Sequence, residues 1–413
     1  MTRRDPIPGA TEVSVSAAGE TGSSLSALVA GKSVIVCCGS GGTGKTTVSA
    51  AIGLAGAEQG RKACVVTIDP ARRLADALGL EHLDNTPRRI AGDWSGELSA
   101  VMLDAKSTFD DLVARYSHSS EQADRILQNR LYRNLTSALS GTQEYMAMEK
   151  LYELHSEGGF DLVVVDTPPT RHALDFVDAP RRLYGFLENR VFRLVLMPTR
   201  AYMKAMTFAA HALLRTISRV AGSEIVEDAM TFFRAFEGME EGFRERARRV
   251  EDLLANPGTA FVLVVAPRGD SIDEARFFAR RLAEDSISVS ALVVNRLFSS
   301  FAPDQPTTSG GPSPAEPADG PIPVQNPAGA LALSPPDPLA YDELRRNLEE
   351  FLVVATREER YVAELAGEVA PAPVVRVPFL SEDVHDIEGL QAVARHLLGG
   401  QLVSDRGSHP DRQ

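Results

Sequence analysis

A short glycine-rich stretch, GSGGTGKTT at Gly39–Thr47, has the residue types and spacing of a phosphate-binding loop. Glycines let the backbone turn tightly and point its N–H groups at phosphate oxygens, and Lys45 would neutralise the β- and γ-phosphates. The hydroxyl of Thr46 would ligate Mg²⁺. A chance glycine turn is the alternative, but the stretch follows a strand-like run and opens a helix-like one. It therefore predicts the binding of a phosphate group together with Mg²⁺.

Two aspartates stand where hydrophobic, strand-like runs end. The run DLVVVD ends at Asp166, and an aspartate after such a strand is the expected Mg²⁺-binding partner of a phosphate-binding loop. The run ACVVTI is followed by Asp69, which would position the attacking water and contact the metal shell. For Asp69 the alternative is a cap for the helix that follows. The predicted metal ligands are Thr46, Asp69 and Asp166.

Six short apolar runs, rich in β-branched residues, alternate with helix-like stretches. Continuous apolar runs without polar alternation suit strands that are buried on both faces. The pattern predicts an α/β fold, a parallel-sheet P-loop core flanked by helices, with an all-helical insert. The predicted strands are Ser33–Cys38, Ala63–Ile68, Asp161–Asp166, Phe261–Ala266, Ser290–Asn295 and Val374–Val377.

Two segments interrupt this alternation. Residues 181–256 contain apolar residues at helical spacing and no strand-like run, which predicts a helical insert. Residues 301–338 are dense in proline and glycine, which predicts a flexible, disordered linker. The other predicted boundaries are a disordered tail at 1–30, the two parts of the ATPase core at 31–180 and 257–300, a closing helix, strand and helix at 339–400, and a tail at 401–413.

Composition narrows the class of function. The 413 residues carry a net charge of −13, which argues against a nucleic-acid-binding surface because such a surface concentrates positive charge. Cys37, Cys38 and Cys64 lie in strand-like runs and form no C-x-x-C pair, so a cysteine-built metal site is not expected. With no signal-peptide pattern and no apolar run of spanning length, we predict a cytoplasmic protein that is not an integral membrane protein.

Taken together, these motifs resemble the ArsA-type branch of the deviant P-loop ATPases. That family includes arsenite-pump ATPases, the tail-anchored-protein targeting ATPases and, more distantly, MinD and ParA. Its T-D-P-A pattern is similar to Ile68–Ala71, and its second switch, D-T-A-P-T-G-H, is similar to Asp166–His172. Its adenine-side V-V-N matches Val293–Asn295, and its P-L/F-x-x-E pattern matches Pro378–Glu382. The resemblance covers nearly the whole chain outside the N-terminal tail and the linker.

The resemblance implies a nucleotide-driven dimeric switch, in which ATP lies at a two-fold interface and closure reshapes a helical subdomain. Asp69 would be the catalytic residue, Asp166 would serve Mg²⁺, and the insert would lie where the targeting ATPases bind their client. The implied cofactor-binding residues are Gly39, Ser40, Gly41, Gly42, Thr43, Gly44, Lys45, Thr46, Thr47, Asn295, Pro378 and Phe379. The implied second switch is Asp166, Thr167, Pro168, Pro169, Thr170, Arg171 and His172.

Ser40 is the main departure from the family pattern, because the family carries there a signature lysine that reaches the partner's phosphates. A serine supplies no positive charge to phosphoryl transfer. Arg72 or Arg73 could act in its place, the chain could pair with a paralogue that keeps the lysine, or hydrolysis could be slow. The second explanation is favoured. The predicted partner is therefore a second copy of the chain or a lysine-bearing paralogue.

Three functions remain open. The leading one is an ATP-hydrolysing switch whose insert handles a hydrophobic protein client, since a methionine-containing stripe runs from Met197 to Val220. Burial of that stripe inside the insert is the alternative. The second function is the motor of an anion or metalloid efflux system, although the cysteine trio of arsenite pumps is not recognisable. The third is a slow-hydrolysing structural subunit paired with a paralogue.

Overall fold

A computed structural model describes residues 24–69, 71–130, 132–133, 142–168, 231–232, 235, 238–298, 338–380 and 382–399. Its helices are α1 (Leu25–Gly31), α2 (Lys45–Glu58), α3 (Arg73–Ala77), α4 (Ala105–Tyr116), α5 (Ser120–Leu127), α6 (Thr142–Ser156), α7 (Glu240–Ala255), α8 (Gly269–Glu284), α9 (Pro338–Glu368) and α10 (Ile387–Leu397). Its strands are β1 (Val34–Cys38), β2 (Lys62–Thr67), β3 (Arg88–Ile90), β4 (Glu97–Met102), β5 (Leu162–Asp166), β6 (Thr259–Val265), β7 (Val289–Leu297) and β8 (Val374–Pro378).

The strands of the described residues form one eight-stranded sheet in the order β3-β4-β2-β5-β1-β6-β7-β8. Every pairing is parallel except that of β3 with β4. The six strands predicted from the sequence are all present, so the predicted α/β fold with a parallel sheet is confirmed. The two strands that the sequence pattern did not indicate, β3 and β4, lie together at one edge.

Both faces of the sheet are buried, as continuous apolar strands require. All five residues of β1 are buried, and they alternate between two hydrophobic clusters. Helices α6, α7 and α8 contribute to the cluster that contains Val34 and Val36, whereas α2 and α10 contribute to the cluster that contains Ile35 and Cys37. Because the central strands run parallel, their carboxyl ends meet at a single edge of the sheet.

The N-terminal helix corrects one predicted boundary. The predicted disordered tail ended at residue 30, whereas α1 already begins at Leu25. Ser24 caps this helix, since its side chain accepts a hydrogen bond from the Ala27 N–H at 3.2 Å. Leu28 and Val29 are buried in the same cluster as α2. Burial of this apolar face orders the short helix although the residues before it are polar.

The predicted insert and linker are only partly described. Helix α7 corresponds to the last predicted helix of the insert, and its Phe243 and Val250 are buried. Residues 181–230 of the insert, which include the methionine-containing stripe, lie outside the described residues, as does the linker as far as residue 337. The amphipathic helix expected after the linker is α9, with Val362 and Leu365 buried.

A buried ion pair joins α7 to the core. Arg246 on α7 donates from Nε to Glu149 on α6 at 2.7 Å, and both side chains are almost completely buried. Arg246 also donates to Glu157 at 3.1 Å, and its guanidinium lies 4.0 Å from the centre of the Tyr152 ring. Burial raises the pKa of the Glu149 carboxyl even beside this cation. The charge of Glu149 therefore depends on Arg246 for compensation.

Replacing Arg246 with methionine is expected to lower the free energy of unfolding by about 3–5 kcal/mol, because it leaves a buried carboxylate without its cation. The measurement is equilibrium unfolding in urea at neutral pH. Arg249→Met is the control on the same helix, since Arg249 is 55% exposed and its ion pair with Glu245 lies on the surface of that helix. That change is expected to leave the free energy of unfolding close to that of the parent. Equal effects of the two changes would contradict the prediction.

Candidate active site

The glycine-rich loop lies between β1 and α2, at the carboxyl end of the central strand of the sheet. Gly44 adopts a left-handed conformation (φ 85°), and a Cβ there would meet the Asn295 side chain at 2.2 Å. Gly39 has φ 153°, and a Cβ there would meet the Val264 carbonyl oxygen at 2.0 Å. Only glycine fits these two positions. The first turn of α2 carries no acidic residue, so the helix N-terminus is suited to an anion.

Lys45 is the buried cation of this loop. It is only 7% exposed, and its Nζ donates to the Ser40 carbonyl oxygen at 2.9 Å. Burial lowers the pKa of its ammonium group, while the charge of Asp166 acts in the opposite direction. A buried ammonium group held by a single backbone carbonyl among the described residues is suited to exchange that partner for a phosphate oxygen.

Ser40 is directed into the protein. Its hydroxyl shares a hydrogen bond of 2.9 Å with the hydroxyl of Ser271 on α8, and Ser40 is 6% exposed. Ser271 in turn accepts from the Ala266 N–H at 3.1 Å. Residue 40 therefore ties the loop to α8 within the same chain and brings no charge to the site.

Asp166 accepts hydrogen bonds from two threonine hydroxyl groups, one in the first turn of α2 and one at the end of β2. Its Oδ2 accepts from Thr46 and from Thr67, each at 2.8 Å. Its Oδ1 is buried and has no hydrogen-bond partner among the described residues. Burial raises the pKa of the Asp166 carboxyl to about 6, although Thr67, Thr46 and Lys45 act to lower it. An orphaned carboxylate oxygen beside a threonine hydroxyl fits Mg²⁺, which binds oxygen ligands.

Within the part of the chain that the structure describes, the remaining ligands of such an ion are not expected to be side chains of the usual metal-binding kind. Among the described residues no cluster of three or more His, Cys, Asp or Glu side chains could hold a metal. Mg²⁺ keeps several waters and commonly takes one or two carboxylates together with substrate phosphates. The donor set of Asp166 and Thr46 therefore fits an Mg²⁺ ion that arrives with a nucleotide.

Asp69, the predicted catalytic residue, interacts in this structure with residues two and four positions further along the chain, as in a turn. Its Oδ1 accepts from the Ala71 N–H at 2.9 Å, and its Oδ2 lies 3.7 Å from Arg73. Its own N–H donates to the Thr67 hydroxyl at 3.2 Å, which links it to the Asp166 cluster. Its charge also acts on the carboxyl of Asp166. Asp69 thus lies beside the predicted metal site, and its role as a catalyst stays a prediction.

The predicted base-side residues lie at the ends of β7 and β8. The buried Asn295 donates from Nδ2 to the Thr43 carbonyl oxygen at 2.9 Å, and this hydrogen bond stabilises the glycine-rich loop. Phe379 is 60% exposed, and its ring stacks on Phe298 with centres 5.7 Å apart. The Phe379 N–H donates to the Leu297 carbonyl oxygen at 2.9 Å, which holds the two strand ends together. Binding of adenine by Asn295, and of the nucleotide by Pro378 and Phe379, stays a prediction.

The second switch is described only at its start. The Thr167 hydroxyl donates to the Cys37 carbonyl oxygen at 2.7 Å, which joins the segment to β1. Pro168 is half-buried. Pro169, Thr170, Arg171 and His172 lie outside the described residues.

Four residues at this site were not singled out from the sequence. They are Thr67, Ser271, Arg296 and Phe298. For Thr67 a signal existed, because it ends β2 next to Asp69 at the same edge of the sheet as Asp166. For Ser271 and Arg296 the sequence held no local signal, since each contacts a loop residue more than 200 positions away.

The fold and the site define a class of protein. A strand, a glycine-rich loop and a helix that begins at the loop's lysine, placed at the centre of a parallel sheet, form the core of a P-loop nucleoside triphosphatase. A sequence model of the anion-transporting ATPase family matches residues 32–307, which is more than half of the chain. The chain belongs to that family and is an ATPase.

Individual relatives agree with this assignment. The chain is 22% identical over 376 residues to a protein named as an arsenical pump-driving ATPase in Aquifex aeolicus, covering 89% of this chain and 79% of the relative. It is 26% identical to the ATPase get3 of Schizosaccharomyces japonicus, over 63% of this chain and 72% of the relative. It is 28% identical to an ATPase ASNA1 homolog of Cryptosporidium parvum, over 63% of each chain.

Among the helices that the structure describes, none is long and apolar enough to cross a membrane. The predicted cytoplasmic location stays a prediction.

Proposed function

We propose that this protein is a Mg²⁺-dependent, ATP-hydrolysing dimeric switch that couples turnover to a helical subdomain. The observation that carries the proposal is the orphaned Oδ1 of Asp166, which lies beside the Thr46 hydroxyl at the foot of a phosphate-binding loop. This oxygen lacks a partner in the described residues, and a nucleotide-borne Mg²⁺ would supply one.

The site residues divide the chemistry between them. The backbone N–H groups of the loop and the first turn of α2 would bind the phosphates, and Lys45 would leave the Ser40 carbonyl to neutralise them. Asp166 and Thr46 would hold Mg²⁺, which supplies charge stabilisation at the phosphates. Asp69 would turn from the Ala71 N–H to orient the attacking water. Asn295, Pro378 and Phe379 would bind adenine at the ends of β7 and β8.

Helix α6 offers a route from the nucleotide site to the helical insert. At its start, Gln143 donates to the Ile68 carbonyl oxygen at 3.4 Å, next to Asp69. Two turns further on, Glu149 forms the buried pair with Arg246 on α7. A change in the loop around Asp69 would thus be transmitted through α6 to the last helix of the insert.

The dimer partner and the client belong to the same proposal. The partner is either a second copy of the chain or a paralogue that carries a lysine at the position of Ser40. The client of the insert is a hydrophobic protein segment, as in the targeting ATPases that the sequence resembles. The name of the Aquifex relative favours a second candidate function, the motor of a metalloid efflux system.

The first test is ATP hydrolysis by the purified full-length chain over a range of its own concentrations, with Mg²⁺ and with EDTA. We expect activity that requires Mg²⁺ and a specific activity that rises with protein concentration, because the proposed site is completed by a dimer. Activity that never exceeds the EDTA blank would contradict hydrolysis by a homodimer. It would instead support the slow subunit that requires a lysine-bearing paralogue.

The second test separates the two cellular roles. Arsenite or antimonite would be added to the hydrolysis assay, and an environment-sensitive hydrophobic dye would be titrated with and without Mg²⁺·ATP. A client-binding switch is expected to change its dye signal with ATP and to ignore the metalloid. The ATP-dependent change is the readout, because α9 already exposes Leu348, Phe351 and Val353. Stimulation by the metalloid with a constant dye signal would favour the efflux motor.

A further inference from the structure

The end of β7 carries an arginine in an unusual backbone conformation. Arg296 has φ 63°, a left-handed backbone conformation that residues other than glycine rarely adopt. The register of β7 with β8 shifts between Val294 and Leu297 at the same place. In a regular strand, successive side chains point to opposite faces. Here Asn295 and Arg296 both reach the phosphate-binding loop.

These two residues bind successive carbonyl groups of the loop. Asn295 donates to the Thr43 carbonyl oxygen at 2.9 Å, and Arg296 donates from one guanidinium nitrogen to the Gly42 carbonyl oxygen at 3.1 Å. Asn295 is buried, whereas Arg296 is exposed. The arginine therefore lies at the open rim of the loop. Its contact to Gly42 is the only side-chain hydrogen bond or ion pair that it makes within the described residues.

The position matters because residue 40 brings no charge to the loop. Ser40 is turned inward to Ser271, and of the arginines considered from the sequence as replacements, Arg73 is already paired with a carboxylate. Arg73 is 65% exposed and lies 3.7 Å from the carboxylate of Asp69. Arg296, in contrast, contacts the loop itself and carries no counter-charge among the described residues. A guanidinium has donors on both edges of its fork, so it can hold a carbonyl at one edge and a phosphate at the other.

We propose that Arg296 is a second cation of the nucleotide site, which binds the phosphate chain of ATP from the rim of the loop. This inference rests on the proposed function and deepens it. The left-handed turn at the end of β7 is what brings the guanidinium to the loop beside Asn295. The charge that residue 40 does not supply then comes from the same chain.

The experiment is calorimetric titration of the purified full-length chain with Mg²⁺·ATP and with Mg²⁺·ADP. The loss variant is Arg296→Asn, because asparagine tolerates the left-handed conformation better than most residues. We expect its affinity for ATP to fall at least about tenfold, as for loss of a charge-assisted contact. A loss of affinity for ATP alone would show that Arg296 binds the terminal phosphate. An equal loss of affinity for ADP would show that it binds the inner phosphates. An affinity within about twofold of the parent's would overturn the inference.

Two further measurements show whether Arg296 binds the phosphate directly or only stabilises the loop through its hydrogen bond to Gly42. Arg296→Lys is expected to recover most of the affinity, because it restores the charge. The difference between the parent and Arg296→Asn is expected to shrink as salt rises from about 50 to about 500 mM, because salt screens exposed charges. A loss that is independent of salt and not recovered by lysine would overturn the phosphate contact.

The controls keep this inference separate from the proposed function. Arg280→Gln removes another exposed arginine, one that pairs with Glu368 on the far end of α9, and it is expected to leave nucleotide affinity unchanged. If the parent binds ATP and Arg296→Asn binds it equally well, only the inference on Arg296 fails. If the parent binds neither nucleotide, the proposed function fails together with it.

Discussion

Lys45→Ala is expected to reduce Mg²⁺-dependent ATP hydrolysis by a factor of about 10² to 10³ or more, because one preorganised donor to the transferring phosphate commonly contributes that much. Lys45 is the buried ammonium group of the loop, and the backbone carbonyl of Ser40 holds it in place. Its burial lowers the pKa of the ammonium group, so the site already carries the free-energy cost of a desolvated charge. A bound phosphate would compensate that charge.

The measurement is steady-state hydrolysis at saturating ATP, together with nucleotide affinity. Lys106→Ala is the matched control, since Lys106 is an exposed lysine that pairs with Asp110 one helical turn away. The control is expected to retain full activity. Thermal unfolding of both variants would show whether the fold is kept. If Lys45→Ala remained folded and hydrolysed ATP within about threefold of the parent, the loop would not be the catalytic site.

The parts of the site that the sequence predicted are those encoded by contiguous residues. Tight spacing of glycines, a lysine and a threonine fixes the loop, and a run of β-branched residues that ends in aspartate fixes Asp166 at the carboxyl edge of the sheet. The structure brings these together through one hydrogen bond, from Thr46 to Asp166. Local spacing was sufficient to predict this proximity, because the parallel sheet places the ends of β1 and β5 at the same edge.

The parts that were missed depend on contacts between distant segments or on weak local signals. The inward turn of Ser40 is visible only once α8 brings Ser271 beside it. The reach of Arg296 to the loop depends on a left-handed residue and a register shift, which no hydrophobic pattern encodes. Strand β3 has only three residues and lies at an edge, where little burial selects for apolar side chains.

The pH dependence of the unliganded protein follows from the same buried carboxylate. Burial raises the pKa of Asp166 to about 6 in the folded state, above the value of an exposed aspartate. The folded state therefore binds this proton more tightly than the unfolded state does. At low pH, this tighter proton binding stabilises the folded protein. That stabilisation decreases as pH rises from about 4 to about 6, and it is absent above that range. Two pKa units correspond to about 3 kcal/mol, taken as an upper bound.

Asp166→Asn is accordingly expected to have opposite effects on activity and on stability. Hydrolysis should fall by a factor of about 10³, because the carboxylate that would hold Mg²⁺ is lost. In EDTA at pH 7.5, the free energy of unfolding should rise by about 1–3 kcal/mol, because a buried charge with an orphaned oxygen is removed. At pH 4 the gain should disappear, since the parent carboxyl is then protonated in the folded state.

Urea unfolding of the parent and the variant at both pH values, without nucleotide, measures this difference. Asp161→Asn at the other end of β5 is the control, since Asp161 accepts a hydrogen bond from the exposed Lys62 N–H. That control is expected to change neither activity nor the pH dependence. Mg²⁺ with ADP should raise the melting temperature of the parent much more than that of Asp166→Asn, because only the parent keeps the carboxylate. A variant that is less stable than the parent at pH 7.5 would show that the charge of Asp166 is compensated within the protein itself.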